Sequence, residues 1–260
     1  MKKRKKIVSW NVNGIRACVR KEAFNEYLAS ENPDILCIQE TKAHHQELDD
    51  QFFNPLGYHS SWFSAQKKGY SGVATFTREK PIAVHDGFGI EKYDSEGRVL
   101  ISEYGHFFVL NVYFPNGQRD DIRLQYKLDF YQDFFNFCEE LKKEGKPLVI
   151  CGDYNTAHKE IDLARPKENE NTSGFMKIER EWLDKIIRDY DYVDTFRCFN
   201  NEPKEYSWWS YRARARANNV GWRIDYIFIS KILEKNLQSS FIQQNIMGSD
   251  HCPVGIVLEI

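Results

Sequence analysis

An α+β fold of two packed β-sheets flanked by helices is what this sequence predicts, and three observations carry the prediction. Short apolar runs rich in β-branched residues recur and end abruptly in polar ones; amphipathic helical segments separate some of them; other strands follow one another in hairpin order, which a purely parallel sheet would not allow. At 260 residues the chain is long for one domain, yet sheet sandwiches of this size fold around one core. No Pro-, Gly- or Ser-rich linker divides it, so residues 1–260 are expected to form a single domain, with 1–5 flexible.

The first strand is expected over residues 7–10 and the second over 35–38. Residues 72–77 and 97–114 read as hairpin strands, the latter including an apolar run at 107–114. Leu124, Leu128, Tyr131, Phe135, Cys138 and Leu141 recur at steps of three and four, which predicts a helix. Gly145 and Pro147 close it before a strand at 148–151. Residues 166–174 read as a long polar loop, and strands at 224–229 and 254–260 complete the pattern. Residues 7–11 and 148–153 echo each other, each an apolar strand delivering an amide or carboxyl group at its end, a faint sign of duplication.

The formal net charge is -2, so bulk electrostatics announce no anionic partner. An enzyme that gathers carboxylates around a cation and grips phosphates elsewhere would also sum close to zero. Basic residues cluster at 2–6, at Lys67 and Lys68, at Arg119, Arg123 and Lys127, and at Arg212, Arg214 and Arg216; each cluster alone reads as a solvated face. Six cysteines stand singly, unlike a zinc site or a disulfide scaffold, and are expected to be reduced, mostly buried thiols of a cytoplasmic protein. The apolar stretch after the basic start breaks at Asn11, too soon for a signal peptide, and no run has the length of a membrane span.

Polar residues adjoin the strands: Asn11, Asn13, Glu40, Tyr113, Asp153, Asn155, Asp225, Asp250 and His251. Strand ends on one rim converge in space, so distant positions can share a site. Singly, each has a plainer explanation. An Asn after a strand starts a turn, Glu40 is a surface acid, Tyr113 a core aromatic and His251 a satisfied core histidine. Together they form the inventory for phosphodiester hydrolysis. Hard oxygen ligands such as Glu40 and Asp250 suit Mg2+ or Mn2+, and scattered Cys and His argue against zinc. Asn, Tyr and His can donate to a phosphate as charge builds, while a carboxylate or a His–Asp pair takes the proton from water.

Segments 9–17 (SWNVNGIRA), 39–42 (QETK), 69–72 (GYSG), 113–116 (YFPN), 151–158 (CGDYNTAH), 219–226 (NVGWRIDY) and 248–253 (GSDHCP) resemble, in order and over nearly the whole chain, the motifs of the exonuclease III family of abasic-site endonucleases. The resemblance implies a four-layered, deoxyribonuclease-like α/β/β/α sandwich with its site at one edge of the paired sheets. The implied reaction is hydrolysis of the phosphodiester 5′ to abasic sites in duplex DNA, leaving a 3′-hydroxyl, with 3′ to 5′ exonuclease and 3′-end-cleaning activity beside it. By the same resemblance Glu40, Asp250 and Asn13 hold Mg2+ (or Mn2+), and Asn11, Tyr113, Asn155 and His251 contact the scissile phosphate. Asp225 orients His251. Asp153 activates the water, with the His251–Asp225 pair as the competing activator. Trp208, Trp222 and Ile224 map to the damage pocket, which suits a deoxyribose without its base. Arg16, Lys21, Tyr70, Asn116, Arg119 and Arg123 map to contacts with the duplex backbone, and the Arg212–Arg214–Arg216 loop is either pressed into a groove or a solvated turn.

Two positions depart from the pattern: Asn13 stands where several relatives have Asp, and Trp208 where a smaller aromatic is common. The chain starts almost at its first motif, so neither the long N-terminal extension of some animal members nor an obligate protein partner is expected, and a monomer acting on duplex DNA is. The rival readings are a superfamily phosphatase acting on small or lipid phosphates and a DNA-binding relative without catalysis. The YFPN segment and the tryptophan pair favour DNA over the first, and the competent residue kept at every expected polar position argues against the second.

Overall fold

A computed structural model describes residues 3–260. Its twelve strands are β1 (Arg4–Asn11), β2 (Ile35–Gln39), β3 (His59–Phe63), β4 (Val73–Thr77), β5 (Ala83–Asp86), β6 (Val99–Glu103), β7 (Phe108–Tyr113), β8 (Leu148–Asp153), β9 (Tyr192–Asp194), β10 (Asp225–Ser230), β11 (Leu237–Ile242) and β12 (Val254–Glu259). They form two six-stranded mixed sheets, β11-β12-β1-β2-β4-β3 and β5-β6-β7-β8-β10-β9. Helices α1 (Ile15–Arg20) and α2 (Ala23–Glu31) carry the chain from β1 to its parallel neighbour β2; α3 (Glu91–Asp94) is a single turn; α4 (Asp121–Lys142) carries it from β7 to parallel β8; α5 (Pro166–Asn169) and α6 (Lys177–Arg188) follow.

Alternation along the strands builds the layers, because successive side chains face opposite sides of a sheet. Ile7, Cys37, Val109, Val149, Cys151, Ile227 and Ile256 pack between the sheets. Val8, Trp10, Leu36 and Ile38 face outward onto Cys18, Phe24, Tyr27 and Leu28 of α1 and α2. On the opposite outer face Leu110, Val112, Ile150 and Phe228 meet Phe130, Tyr131, Phe134 and Phe135 of α4 with Leu183 and Ile186 of α6. The result is the four-layered sandwich. Asp120 caps α4 by accepting from the Arg123 backbone N–H at 2.7 Å, satisfying one of the orphan donors of its first turn.

Polar groups also bridge the sheets. Buried Gln39 Nε2 donates to Ser9 Oγ at 3.0 Å and to Asn111 Oδ1 at 2.7 Å, and Asn111 Nδ2 donates back to the Ala74 carbonyl at 2.9 Å. The network ties β1, β2 and β4 to β7 directly beneath the site.

Several expectations are corrected. Residues 3–5 are not flexible: Arg4 and Lys5 pair with Glu259 and Leu258, and the Lys3 backbone exchanges hydrogen bonds with Ile260, so the C-terminal strand holds them. Residues 1 and 2 lie outside the described part. The loop at 166–174 opens with the helical turn α5, which starts on Pro166, a residue suited to a first helical position. Lys127 belongs to no solvated basic face; it is fully buried. Duplication is present in the topology, since the two sheets match strand for strand in order and direction. The match sets β1 against β7 and β2 against β8, so the echo between 7–11 and 148–153 links strands that are not equivalents. Among the described residues no helix is long and apolar enough to cross a membrane.

Candidate active site

The same alternation delivers the site. Counting by twos from core residues, Ile7 leads to Asn11, Val109 to Tyr113, Val149 to Asp153, and Ile229 back to Asp225. Each polar residue is the last inward-facing position of its strand, at the rim of the inter-sheet layer. The register sets Tyr113 opposite Asp153, and Asp153 opposite Asp225. Beyond the strand ends the backbone turns left-handed at Asn13, Glu40, Lys42 and Asn155 (φ 45°, 50°, 49° and 51°), an uncommon conformation for residues with a Cβ and one that clusters at functional sites. Gly152 admits no replacement, because a Cβ there would lie 1.7 Å from the Val112 carbonyl oxygen.

Hydrogen bonds join these groups into one constellation. Asn11 Nδ2 donates to Glu40 Oε1 and Asp153 Oδ2, both at 2.9 Å, and Asn11 Oδ1 accepts from the Asn13 backbone N–H. Asp153 also accepts from the Asn155 backbone N–H at 2.8 Å. His251 Nδ1 lies 2.8 Å from Asp225 Oδ2, while its Nε2 lies 3.9 Å from Asp153 Oδ2. Asp250 accepts from Asn13 Nδ2 at 2.9 Å and from Trp208 Nε1 at 3.1 Å. Asn116 Nδ2 donates to Asn155 Oδ1 at 2.9 Å. Glu40 and His251 therefore share one site despite their separation in sequence.

Burial sorts the charges. Burial first, and then Asp225, push the Asp153 carboxyl up to about 7, although His251 opposes the shift. Burial works against charge on His251, yet Asp225, then Asp153 and Asp250, raise the imidazole to about 10. Glu40 moves the other way: burial raises it, but the Lys42 ammonium at 2.7 Å and the Asn11 amide outweigh that and hold it below the usual carboxylate range. Asp250 is likewise lowered, with His251 and the Asn13 amide overcoming burial. Burial beside Glu40 and Asp153 keeps the Tyr113 phenol protonated and a donor.

The site opens into a cleft of about 840 Å³. Trp208, Trp222 and Ile224 line it, as do Asp153, Asn155 and His251. The two indole rings meet edge-on, centroids 6.3 Å apart, backed by Ala157, Leu163 and Phe175. A second hollow of about 370 Å³ lies beside it, lined by Tyr70, Arg98, Tyr113, Asn116, Arg119 and Arg123. Arg16 and Lys21 line neither hollow; Arg16 approaches Glu47, and Lys21 Nζ bonds the Gly248 carbonyl two residues before Asp250. The arginine loop divides: Arg212 lines the cleft, Arg214 is exposed, and Arg216 turns back onto the carbonyls of Ser249, Gln244 and Ile246.

Sequence reasoning missed three participants. Lys42, inside a quoted motif but given no part, bonds both Glu40 and Asn13 Oδ1; a cation two residues after a site acid was the available signal. Arg98 is 1% exposed and joins Glu96, Tyr70 and the Tyr113 carbonyl, with nothing local to mark it. Arg223, also 1% exposed, bridges Asp162 and Asp194 and anchors the segment between Trp222 and Asp225.

Glu40, Asp153 and His251 present ligand atoms all within 4.8 Å of one another. Oxygens of Glu40 and Asp153 are the hard donors at this point, and Asp250 is linked to them through the Asn13 side chain. The Lys42 ammonium bonded to Glu40 and Asn13 already places positive charge against that oxygen set. The donors fit a hard divalent cation.

Paired carboxylates with a charged imidazole on the rim of two sheets, facing a cleft with cationic flanks, define a hydrolase of phosphate esters. Comparison with known proteins narrows this. A profile described as the Endonuclease/Exonuclease/phosphatase family matches residues 8–251, and the chain belongs to that family. An exodeoxyribonuclease of Bacillus subtilis is 44% identical over 256 residues, covering 98% of this chain and 100% of that protein. A DNA-(apurinic or apyrimidinic site) endonuclease of Dictyostelium discoideum is 42% identical over 260 residues, 98% of this chain and 71% of that protein. Among solved structures, a 3′ phosphatase from Neisseria bound to a product DNA hairpin matches with a TM-score of 0.90 and 28% identity, covering 98% of this chain and 100% of that one.

Proposed function

We propose that this chain is a Mg2+-dependent DNA repair nuclease that cuts duplex DNA on the 5′ side of an abasic site and leaves a 3′-hydroxyl. The observation that carries the reading is a shared cleft: Trp208, Trp222 and Ile224 line the same cleft as Asp153, Asn155 and His251. A sugar without its base fits against indole faces, whereas an intact nucleotide would have to be extruded at a cost of roughly a few kcal/mol and would then meet the pocket walls. With the sugar seated there, its 5′ phosphate lies toward the polar rim. The relatives named above, an exodeoxyribonuclease, an abasic-site endonuclease and a 3′ phosphatase, act on phosphates next to a deoxyribose, and one phosphate site serves all three activities here.

Glu40, with Asp250 and Asn13, would hold the cation, which would neutralise charge on the phosphoryl oxygen and the leaving group. Asn11, Tyr113, Asn155 and His251 contact the phosphate, with Tyr113 and His251 as the donors to it. Asp153 takes the proton from the attacking water. A carboxylate near 7 is matched to that task, while an imidazole raised to about 10 is already protonated at neutral pH and serves as a donor. Asp225 holds that imidazole in place through Nδ1. Tyr70, Asn116, Arg119 and Arg123, together with Arg16 and Lys21, contact the backbone and position the duplex without reading bases. All the named groups come from one chain, so the reading requires no second copy.

The test is a duplex carrying one abasic analogue, incubated with Mg2+, Mn2+ or chelator beside intact, uracil-containing and 3′-phosphate duplexes. Incision immediately 5′ to the analogue with a 3′-hydroxyl product, abolished by chelator, is expected. Release of phosphate from small or lipid phosphates without strand incision would replace this reading with the phosphatase one.

A further inference from the structure

We propose that the buried Lys127–Glu179 ion pair is a positioning device that locks the aromatic pocket to the phosphate site and so sets how strictly the enzyme distinguishes an abasic sugar from an intact nucleotide. The inference rests on the reading of the cleft given above.

Lys127 lies on α4 among the apolar residues that face the second sheet, and Glu179 lies in the first turn of α6. Both side chains are fully buried, with Nζ and Oε1 2.6 Å apart. A lysine and a glutamate withdrawn from water cost stability unless paired, and an apolar pair of similar volume serves packing at least as well. What the charged pair adds is a set of specified bonds. Lys127 Nζ donates to the Asn155 carbonyl at 2.6 Å. Glu179 accepts from Ser173 Oγ at 3.0 Å, from the Gly174 N–H at 2.6 Å and from the Met176 N–H at 3.2 Å.

These bonds reach two functional parts at once. Asn155 faces the phosphate site. Gly174 backs the pocket: a Cβ there would lie 3.1 Å from Cζ3 of Trp222 and 3.2 Å from the Asn155 carbonyl oxygen. The Gly174 carbonyl also accepts from the Ala157 N–H at 2.8 Å. The segment at 173–176 is thus wedged between Trp222 and Asn155, and Glu179 fixes its position while Lys127 fixes that of Asn155. Neither residue touches the cleft itself, so the pair acts through others.

The experiment compares kcat/KM for incision at an abasic analogue with kcat/KM for removal of a 3′ nucleotide from intact duplex. Three variants are used: Glu179→Asp, which keeps both charges but withdraws the carboxylate by one methylene; the double variant Lys127→Met with Glu179→Gln, which removes both charges; and Lys127→Arg, which keeps the donors. Anisotropy with both duplexes in chelator gives the binding preference without turnover. Glu179→Asp and the double variant are expected to lower the incision-to-exonuclease ratio about tenfold, mainly through kcat for incision, the scale expected when supporting groups let a site shift by a fraction of an ångström. Lys127→Arg is expected to keep it within about twofold. An unchanged ratio and binding preference in Glu179→Asp, whatever the change in Tm, overturns the inference, and that variant decides the matter if the double variant does not fold. Wild-type protein without abasic incision in the same assay overturns the functional reading and this inference with it.

Discussion

The two sheets share their strand order but not their rims. At equivalent register positions stand Asn11 and Tyr113, Gln39 and Asp153, Val73 and Asp225. The first sheet closes its edge with amides and an apolar residue, and its acids, Glu40 and Asp250, come from the loops beyond the strands. The second sets two carboxylates inside the strands, Asp153 and Asp225, at 1% and 2% exposure. Depth then decides chemistry. Asp153, desolvated and beside Asp225, has its carboxyl raised to about 7, where it can exchange protons at neutral pH. A carboxylate one residue further out, paired with Lys42, stays ionised and suits a cation. One scaffold, used twice, separates the two tasks by the distance of a single residue along the chain.

That division is most directly broken at Asp153. Asp153→Asn keeps the shape and the bond to Asn11 but cannot accept a proton, so a loss of roughly 10²–10⁴-fold in kcat is expected, with the affinity for a duplex bearing an abasic analogue unchanged. The pH profile carries the same information. Since the folded carboxyl titrates near 7, above its ordinary value, the basic form is lost as pH falls through 7, and the rate should drop about tenfold per unit below it. A cation held at Glu40 favours the ionised form, so the acidic limb should move to lower pH as Mg2+ saturates. Turnover by Asp153→Asn that retains this limb would transfer the proton acceptor to another group.

The first sheet's share is tested at Glu40. Glu40→Gln preserves the bond from Asn11 and removes the charge that Lys42 and the cation both use. The Mg2+ concentration for half-maximal rate should rise by roughly 10–100-fold, a range that loss of even outer-shell partners produces, with the rate recovering at saturating metal. A fall in rate that no Mg2+ concentration restores would place Glu40 in proton transfer rather than metal binding.

A third contrast concerns what braces each rim. Gln39 of the first sheet is held by a neutral amide bond to Asn111 across the inter-sheet layer; the rim of the second is held by Arg223 clasped by Asp162 and Asp194. Arg223 and Arg197, outweighing burial, lower the Asp162 carboxyl to about 2. Its stabilisation is complete above the ordinary carboxylate range and is lost as pH falls from about 4 through 2. The stability difference between wild type and Asp162→Asn, from denaturant unfolding, should therefore shrink by about 2 kcal/mol between pH 6 and pH 2. The difference between wild type and Gln39→Ala should hold constant over the same range.

How much of this was legible follows from the length scale of each signal. Strand cores were readable because β-branched runs ending in polar residues state their own secondary structure, and the α4 helix because its apolar residues repeat at three and four. The site was readable in outline because Asn11 and Asp153 follow such runs, and Tyr113 and Asp225 stand next to the ends of theirs. The stronger signal lay one step further: counting by twos from Ile7, Val109, Val149 and Ile229 puts all four on one face. The flexible start was misread because pairing of Lys3, Arg4 and Lys5 with the C-terminal strand is a partnership across the whole chain. Lys127 was misread for the same reason, since its partner Glu179 lies fifty-two positions away on another helix. Arg98 left no trace, and Arg223 stood inside a quoted motif without a role, because a buried arginine is set by acids that fold onto it.

The finest distinction between the two rims rests on the amide of Asn13. Asn13 Nδ2 now donates to Asp250 and its Oδ1 accepts from Lys42, so the residue links an acid to a base and adds no charge. In Asn13→Asp the donor to Asp250 is gone and two carboxylates stand side by side. Without a cation they repel; with one, an extra anionic oxygen strengthens the site, because affinity follows ligand charge. The expected result is a lower Tm than wild type in chelator, a larger rise in Tm on adding Mg2+, and half-maximal activity at a Mg2+ concentration several-fold lower, roughly threefold to tenfold. If the variant instead gains no extra stability from Mg2+, then Asn13 lies outside the reach of the ion, and Glu40 with Asp250 must hold it without help from the turn after β1.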